Sequence, residues 1–323
     1  MSLKDRLLPS HTEINQPQAE KLQYSAKPGY TVEIRPPRNH SEDTLPRFIR
    51  AIQELQTRWL GLKNSSPITS YEILRTAQGL KFQFTVPTKR LERKIRSQLT
   101  NALPDIKFSE GTSGLPVKPE TTVGGGLLTT GQLDHYPLQT EFKEPPTNSI
   151  TKTLHRHSMR GTKVVIQILF QPAIGKPLLN RYWTRRGYQR VGFLRKEKER
   201  LWGSRPATPR EKRQADAIEN KAGNNRFHTS IRFAVIGAGE HTKSRVKEIS
   251  GAFNTYENPD TGQYFNTTTV QPLRENRIVD FANSIADRQF DGWTSTFQTT
   301  VEELAALTAV PSTQQENIQY ASP

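Results

Sequence analysis

Cysteine is absent from this sequence. That removes a disulfide framework, a thiolate nucleophile and any cysteine-ligated zinc or iron–sulfur site. It also fits a reducing compartment. Long apolar runs are missing as well: "VVI" and "ILF", within 164–170, are typical of the longest. A membrane-spanning helix needs roughly 20 apolar residues, so none is expected here. The opening decapeptide, MSLKDRLLPS, has no secretory apolar stretch. The expected location is therefore cytoplasmic, with peripheral placement at the inner face of a membrane left open. Apolar side chains are only 33 % of the chain, well under the ~45–50 % of globular chains, a range that also counts glycine. The length of 323 residues suggests about two domains.

Acidic residues are scarce in one quarter of the chain. Residues 151–226 carry 19 Lys and Arg against 5 Asp and Glu, so nearly all of the net charge of +15 resides there. Such a local field attracts polyanions, either nucleic acid or an anionic membrane, although a solvated basic helix facing an acidic subunit fits equally well.

The apolar pattern sets the organisation. Residues 1–28 are polar and aperiodic and read as an arm. Tyr30, Val32 and Ile34 alternate as in a half-buried strand. Leu45, Phe48, Ile49, Ile52, Leu55 and Trp59 recur at helical steps after Thr44, a cap with Pro46 in the first turn. "SYEILR" and the alternation Leu80, Phe82, Phe84, Val86 predict two strands. Leu91, Ile95, Leu99 and Leu103 predict a second helix, and "DIKFSEG" a closing strand. The order over 29–110 is β-α-β-β-α-β, a ferredoxin-like module with both helices on one sheet face.

Residues 111–149, with Gly124-Gly125-Gly126, read as a flexible connector. A second α+β module is expected over 150–311. It holds a helix in "SITKTLHRHSM", a central strand at 164–170, a long basic helical insertion at 176–222, a strand in "RFHTSIRFAVIG" and further helices and a strand to "VEELAAL". It has room to repeat the first topology around the insertion, without a residue-level repeat. Residues 312–323 read as a tail or the start of a linker.

Chemistry-bearing motifs are few. "GAGEHTKS", Gly237 to Ser244, has the Gly, Lys and Ser of a phosphate-binding loop, but Thr242 stands where the second glycine belongs; a Cβ there resists the backbone the cradle needs. A strand–turn–helix is the better reading. His155 and His157 are two apart on a helix and face different ways, so no metal site is expected. No catalytic motif and no cofactor are expected. The insertion interleaves Arg181, Arg185, Arg186, Arg190, Arg195, Lys196, Lys198 and Arg200 with Tyr182, Trp183, Tyr188, Phe193 and Trp202. Arginines neutralise phosphates and aromatics stack on bases. These eight cations are the candidate nucleic-acid-binding residues; contact with a subunit or a membrane is the comparable alternative.

Several strings together resemble the N-terminal, non-catalytic region of ATPases of conjugative DNA transfer and type IV secretion, in the HerA/FtsK superfamily. They are "YPLQTEF" at 136–142, "VVIQILFQP" at 164–172, "AIENKAGNNRFHTSIRFAVIG" at 217–237, "ISGAFNTYENPDTGQYFN" at 249–266 and "VEELAALTAVPST" at 301–313. Their shared order, over about two thirds of the chain, carries the likeness. The sequence departs from the pattern at "LTAVP", where family members often carry an aromatic residue and a histidine before the proline. It also has no Walker A or Walker B motif, and a motor would begin where the chain ends. The resemblance thus implies an accessory module, a homo-oligomer working with a motor domain in cis or in trans. DNA and a membrane-associated secretion partner are its implied contacts, and ATPase activity is not carried over. A stand-alone nucleic-acid-binding protein using 176–213, or a virion or filament component, are the other readings.

Overall fold

A computed structural model describes residues 8–27, 29–37, 44–156, 159–174, 177–200, 203–291, 294–311 and 318. The chain is mixed α+β and built on one large antiparallel sheet. β1 (His11–Glu13) and α1 (Gln16–Gln23) lead into β2 (Tyr30–Arg35) and α2 (Leu45–Ile52). A small hairpin follows, β3 (Thr57–Arg58) and β4 (Lys63–Asn64), and then β5 (Thr69–Thr76), β6 (Gly79–Val86), α3 (Lys89–Ala102) and β7 (Lys107–Glu110). The second half runs β8 (Thr122–Thr130), α4 (Thr147–His155), β9 (Lys163–Pro172), α5 (Pro177–Arg195), β10 (Lys198–Arg200), β11 (Gly203–Arg205) and α6 (Pro209–Gly223). It ends with β12 (Arg226–Ile236), α7 (Thr242–Gly251), β13 (Phe265–Thr269), α8 (Asn276–Ala286), β14 (Phe297–Thr300) and α9 (Val301–Leu307).

The strand order is β1-β8-β12-β9-β5-β6-β2-β7, with β13 also on β8 and β14 on β12. Within the first half the order is β7-β2-β6-β5. Within the second it is β13-β8-β12-β9, with connections of the same kind around the α5–α6 insertion. The second strands of the two halves, β5 and β9, pair antiparallel from Thr69↔Phe170 to Arg75↔Val164. The sheet is therefore continuous across the boundary drawn from sequence between 29–110 and 150–311.

Alternation dictates the two faces. Val32, Ile34, Tyr71, Ile73, Phe82, Phe84, Ile166, Ile168, Phe233 and Val235 point to one face, under α2, α3, α4, α7 and α9. On the other, Ile14, Leu22 of α1, and Ile278 and Phe281 of α8 cover Val123, Val165, Ala234 and Ile236. Each such side chain contributes about 1.5–3 kcal/mol by burial. Beside that second core runs a polar row. Glu33, Gln83, Glu72, Gln167 and Arg232 are direct neighbours on β2, β6, β5, β9 and β12, and all five are buried. Arg288, just past α8, forks onto Glu72, with Nε donating to Oε1 at 2.7 Å and Nη2 to Oε2 at 2.9 Å. Buried charges persist only when paired in this way.

Three expectations change. The described part of the 1–28 arm is structured: Asn15 and Gln18 form a capping box on α1, and Ile14, Ala19 and Leu22 are buried. The helix expected to reach Trp59 stops at Ile52, and Leu55 and Trp59 are exposed. The 111–149 connector contains β8, an interior strand. Its glycines serve close packing and not a hinge: a Cβ on Gly125 would lie 2.0 Å from the Phe233 carbonyl oxygen, and one on Gly126 2.5 Å from Val246 Cγ1. Of the 312–323 tail, only Ile318 is described; it bridges Leu80. The rest of that tail, and His157 and Trp202, lie outside the described residues.

Candidate nucleic-acid interface

The basic insertion folds back on itself as a helical arm, α5 against α6, with the β10–β11 pair at its far end. The sequence explains each part. Thr208 and Glu211 form a capping box at the start of α6, with Pro209 in its first turn. Val191 and Leu194 of α5 meet Ala215 and Ile218 of α6 and Tyr136 in a small core of their own. Gly187 faces the same seam: a Cβ there would meet Ala222 at 3.6 Å, an ordinary van der Waals contact.

Three contacts seat the arm on the sheet. The Arg226 guanidinium, at the start of β12, stacks 4.2 Å from the Trp183 ring centre. Trp183 Nε1 donates to Asp134 Oδ1 at 2.9 Å. Lys221, buried at the end of α6, donates to Glu303 Oε1 at 2.9 Å. Glu303 also accepts from the Leu138 and Thr300 amides, both at 2.7 Å. Burial pushes the Arg226 guanidinium down from its ordinary value.

Each candidate cation can now be placed. Arg181, Arg185, Arg186 and Lys196 are exposed. Positions 181, 185 and 186 fall on one side of α5, away from the buried Val191 and Leu194, as a 3.6-residue period requires, and Lys196 lies just past its C-terminal end. Tyr182, Tyr188 and Phe193 are exposed on the same side, and Arg186 lies over the Tyr182 ring at 5.5 Å. Arg190 is set lower: its Nε donates to the Tyr136 hydroxyl at 2.7 Å, and its guanidinium sits 4.9 Å from the Phe193 ring centre. Arg195 bonds Asp216 and Glu219 of α6, each at 2.6 Å. Those carboxylates hold its guanidinium above its ordinary value. Lys198 bonds Glu211, as does Arg205. Arg200 pairs through its backbone with Gly203; its side chain lies outside the described set.

So the eight candidates divide. Arg181, Arg185, Arg186 and Lys196 form an outward cationic face, while Arg195 and Lys198 bind the arm to itself. Sequence reasoning left out Arg210 and Lys212, exposed on α6; their place in the same basic stretch was the available signal. It also could not see Lys221 as an anchor, because its partner is 82 residues away.

The Gly237–Ser244 loop follows β12 and leads into α7. Two of its N–H groups are engaged by Thr122: Gly237 N donates to the Thr122 carbonyl at 2.8 Å and Gly239 N to Thr122 Oγ1 at 3.0 Å.

A family model described as "Domain of unknown function (DUF8128)" matches residues 4–323. The chain belongs to that family. No curated protein matches it. In this DUF8128 chain, no helix among the described residues is long and apolar enough to cross a membrane.

Proposed function

We propose that this chain is a non-catalytic assembly and contact module of a DNA-translocating ATPase of the conjugative-transfer and type IV secretion kind. The α5–α6 arm is the part that meets DNA. In this reading the chain is two ferredoxin-like units joined edge to edge, cytoplasmic and peripheral at the inner face of a membrane. It self-associates and works with a motor domain in cis or in trans.

The observation that carries the DNA contact is the outward face of Arg181, Arg185, Arg186 and Lys196, on an arm clamped to the sheet through Lys221 and Glu303. Preplaced cations meet phosphates without first ordering a loop, and each phosphate neutralised releases counterions. The two halves sharing one connection order support the ferredoxin-like description. The resemblance of the ordered strings supports the motor partner. A scaffold role without nucleotide turnover is supported by the Gly237 and Gly239 amides being engaged by Thr122.

The test is a titration of DNA at two salt concentrations, with the wild type and an Arg181→Ala/Arg185→Ala/Arg186→Ala variant. Losing three phosphate contacts should flatten the salt slope by about 3 units and weaken binding at low salt. Negligible wild-type binding at low salt removes the DNA contact. Metal-dependent nucleoside triphosphate turnover by the purified chain removes the non-catalytic role. DNA binding without any effect on a motor's turnover would favour the stand-alone nucleic-acid-binding protein.

A further inference from the structure

The β3–β4 hairpin carries the largest exposed apolar side chains of the first half, and nothing in the proposed DNA contact uses them. Trp59 is 77 % exposed, Leu60 fully exposed, and Leu55 and Leu62 58 % each. Trp59, Leu60 and Gly61 have φ of 57°, 53° and 87°, and Leu62 N donates to the Trp59 carbonyl at 3.1 Å. Positive φ at both central residues, Leu60 and Gly61, is the type I′ requirement, for which Asn-Gly is the usual sequence. Here a leucine accepts a left-handed backbone and stands in solvent. Strain of that kind concentrates where a segment meets a ligand.

The neck of the hairpin has different chemistry. Arg58 and Lys63 are directly opposite each other, one step below the tip. Residues 55–64 contain no Asp or Glu. The base is fixed to the body: Ser65 N donates to the Gln56 carbonyl at 2.8 Å, and Asn64 Nδ2 to the Pro172 carbonyl at 2.6 Å. Next to the base, Glu54 is held by Arg90 and Lys94 of α3, whose Lys89 and Arg93 are also exposed.

We infer that residues 59–62 are a membrane-insertion tip, seated in the interface of an anionic bilayer with Arg58 and Lys63 at the level of the lipid phosphates. The four turn residues begin directly after that cation pair, so apolar tip and cations occupy adjacent levels, as in an interfacial element whose apolar face lies just below the phosphates. Tryptophan prefers the headgroup level, where its ring is buried and its N–H hydrated. A protein partner fits less well: a stable interface takes about 20–30 residues a side, and this tip offers four. A few apolar side chains supplemented by lysines and arginines do suffice for reversible lipid binding. The inference rests on the membrane-peripheral part of the proposed function and is independent of the DNA contact.

The test uses the whole chain and two vesicle types, phosphatidylcholine alone and phosphatidylcholine with one third phosphatidylglycerol, read by co-flotation. Wild type should float with the anionic vesicles. Trp59→Ser/Leu60→Ser/Leu62→Ser should lose about tenfold or more in lipid affinity, and Arg58→Glu/Lys63→Glu should lose binding selectively on the anionic vesicles. Both should keep wild-type DNA binding and secondary structure, because the tip lies outside every core. Lipids brominated on the acyl chain should quench tryptophan fluorescence in the wild type and quench it less in Trp59→Phe, which separates insertion from adsorption through the basic arm. Wild type that floats with tip variants floating equally, or with no quenching assignable to Trp59, overturns the tip and leaves peripheral placement standing. Wild type that does not float overturns both. Tip variants that change the sedimentation of the protein without changing flotation assign the tip to a second copy and overturn the inference.

Discussion

Gln167 stands directly opposite Glu72 where the two halves of the sheet join, and its side-chain amide bridges them. Its Nε2 donates to Glu72 Oε1 at 2.8 Å, and its Oε1 accepts from Arg232. A buried amide that both gives and receives links an acid on one side to a base on the other. Arg232 also donates from Nη1 to Ser284 Oγ and to the Gln289 carbonyl, each at 3.1 Å. Burial pushes its guanidinium down to about 10. The seam between the halves is thus held by directional bonds inside otherwise apolar layers.

Glu72 sets the first prediction. Burial raises its carboxyl, but the Arg288 guanidinium and donors from Gln83 and Gln167 prevail and hold it below the ordinary carboxylate range. Its folded value therefore lies below its unfolded value. The stability it supplies is complete above the unfolded value and is lost as pH falls through the folded one. Glu72→Ala strands Arg288 in the interior and should cost about 3–5 kcal/mol at neutral pH. Urea denaturation at neutral and acidic pH checks this: the difference between wild type and variant should shrink as acid protonates the wild-type carboxyl.

His135 sets the second. It is buried edge-on to Trp183, 5.3 Å between ring centres. Burial pushes its imidazole below the ordinary value of 6.5, Asp134 opposes this, and Arg186, Lys221 and Arg190 add to it. The unfolded chain therefore takes up the proton first as pH falls. The contribution is complete above the unfolded value of 6.5 and declines as pH drops toward the folded one. Protection of the α5 amides, taken relative to the base-catalysed intrinsic exchange rate at each pH, should be lower at about pH 5.5 than at about pH 7.5, and His135→Phe should remove most of that difference.

The third concerns the seat of the arm. Lys221 and Glu303 form a buried ion pair, with exposures of 2 % and 0 % for the side chains. Lys221→Met leaves a buried carboxylate that keeps its two amide donors, and should cost about 3–5 kcal/mol. The double variant Lys221→Met/Glu303→Gln removes the lone charge and keeps one of the two acceptor oxygens, for the Leu138 or the Thr300 amide. It should recover part of the loss, a coupling of about 0.5–3 kcal/mol in a thermodynamic cycle. Exchange in α6 should rise in the single variant more than in the double.

Much of the strand plan was legible because alternation is local. Val32 and Ile34, Leu80 to Val86, and Phe227 to Val235 each declare one face, and Leu91, Ile95 and Leu99 declare a helix stripe. β8 was not legible, because Gly124 to Gly126 read as a loop by composition while their lack of Cβ serves the contacts made by Phe233 and Val246. Nor was the end of α2, since Leu55 and Trp59 continue its period by spacing alone; the chain instead turns into the β3–β4 hairpin. The fusion of the halves depends on pairing residues 69–75 with 164–170, which no local pattern encodes. At the candidate interface, the run of cations interleaved with aromatics located Arg181, Arg185 and Arg186. It gave no means of telling them from Arg195 and Lys198, whose carboxylate partners come from α6.

Two glycines separate packing from propensity in a last prediction. Gly125 lies in β8 against β12, where a Cβ would meet the Phe233 carbonyl oxygen at 2.0 Å. That atom is backbone, held between β8 and β9, so it cannot move aside cheaply, and Gly125→Ala should abolish folding or lower the melting temperature severely. Gly192 lies inside α5, exposed, with nothing within 4 Å of its added Cβ. Helix propensity alone then operates, and Gly192→Ala should stabilise the chain by about 0.5–1 kcal/mol. Thermal denaturation of the two variants side by side distinguishes the causes. If Gly125→Ala melts like the wild type, β8 does not lie as close to the Phe233 backbone of β12 as described. If Gly192→Ala destabilises, that face of α5 is already covered, by another copy or by the rest of the chain, and the outward cationic face loses its main structural support.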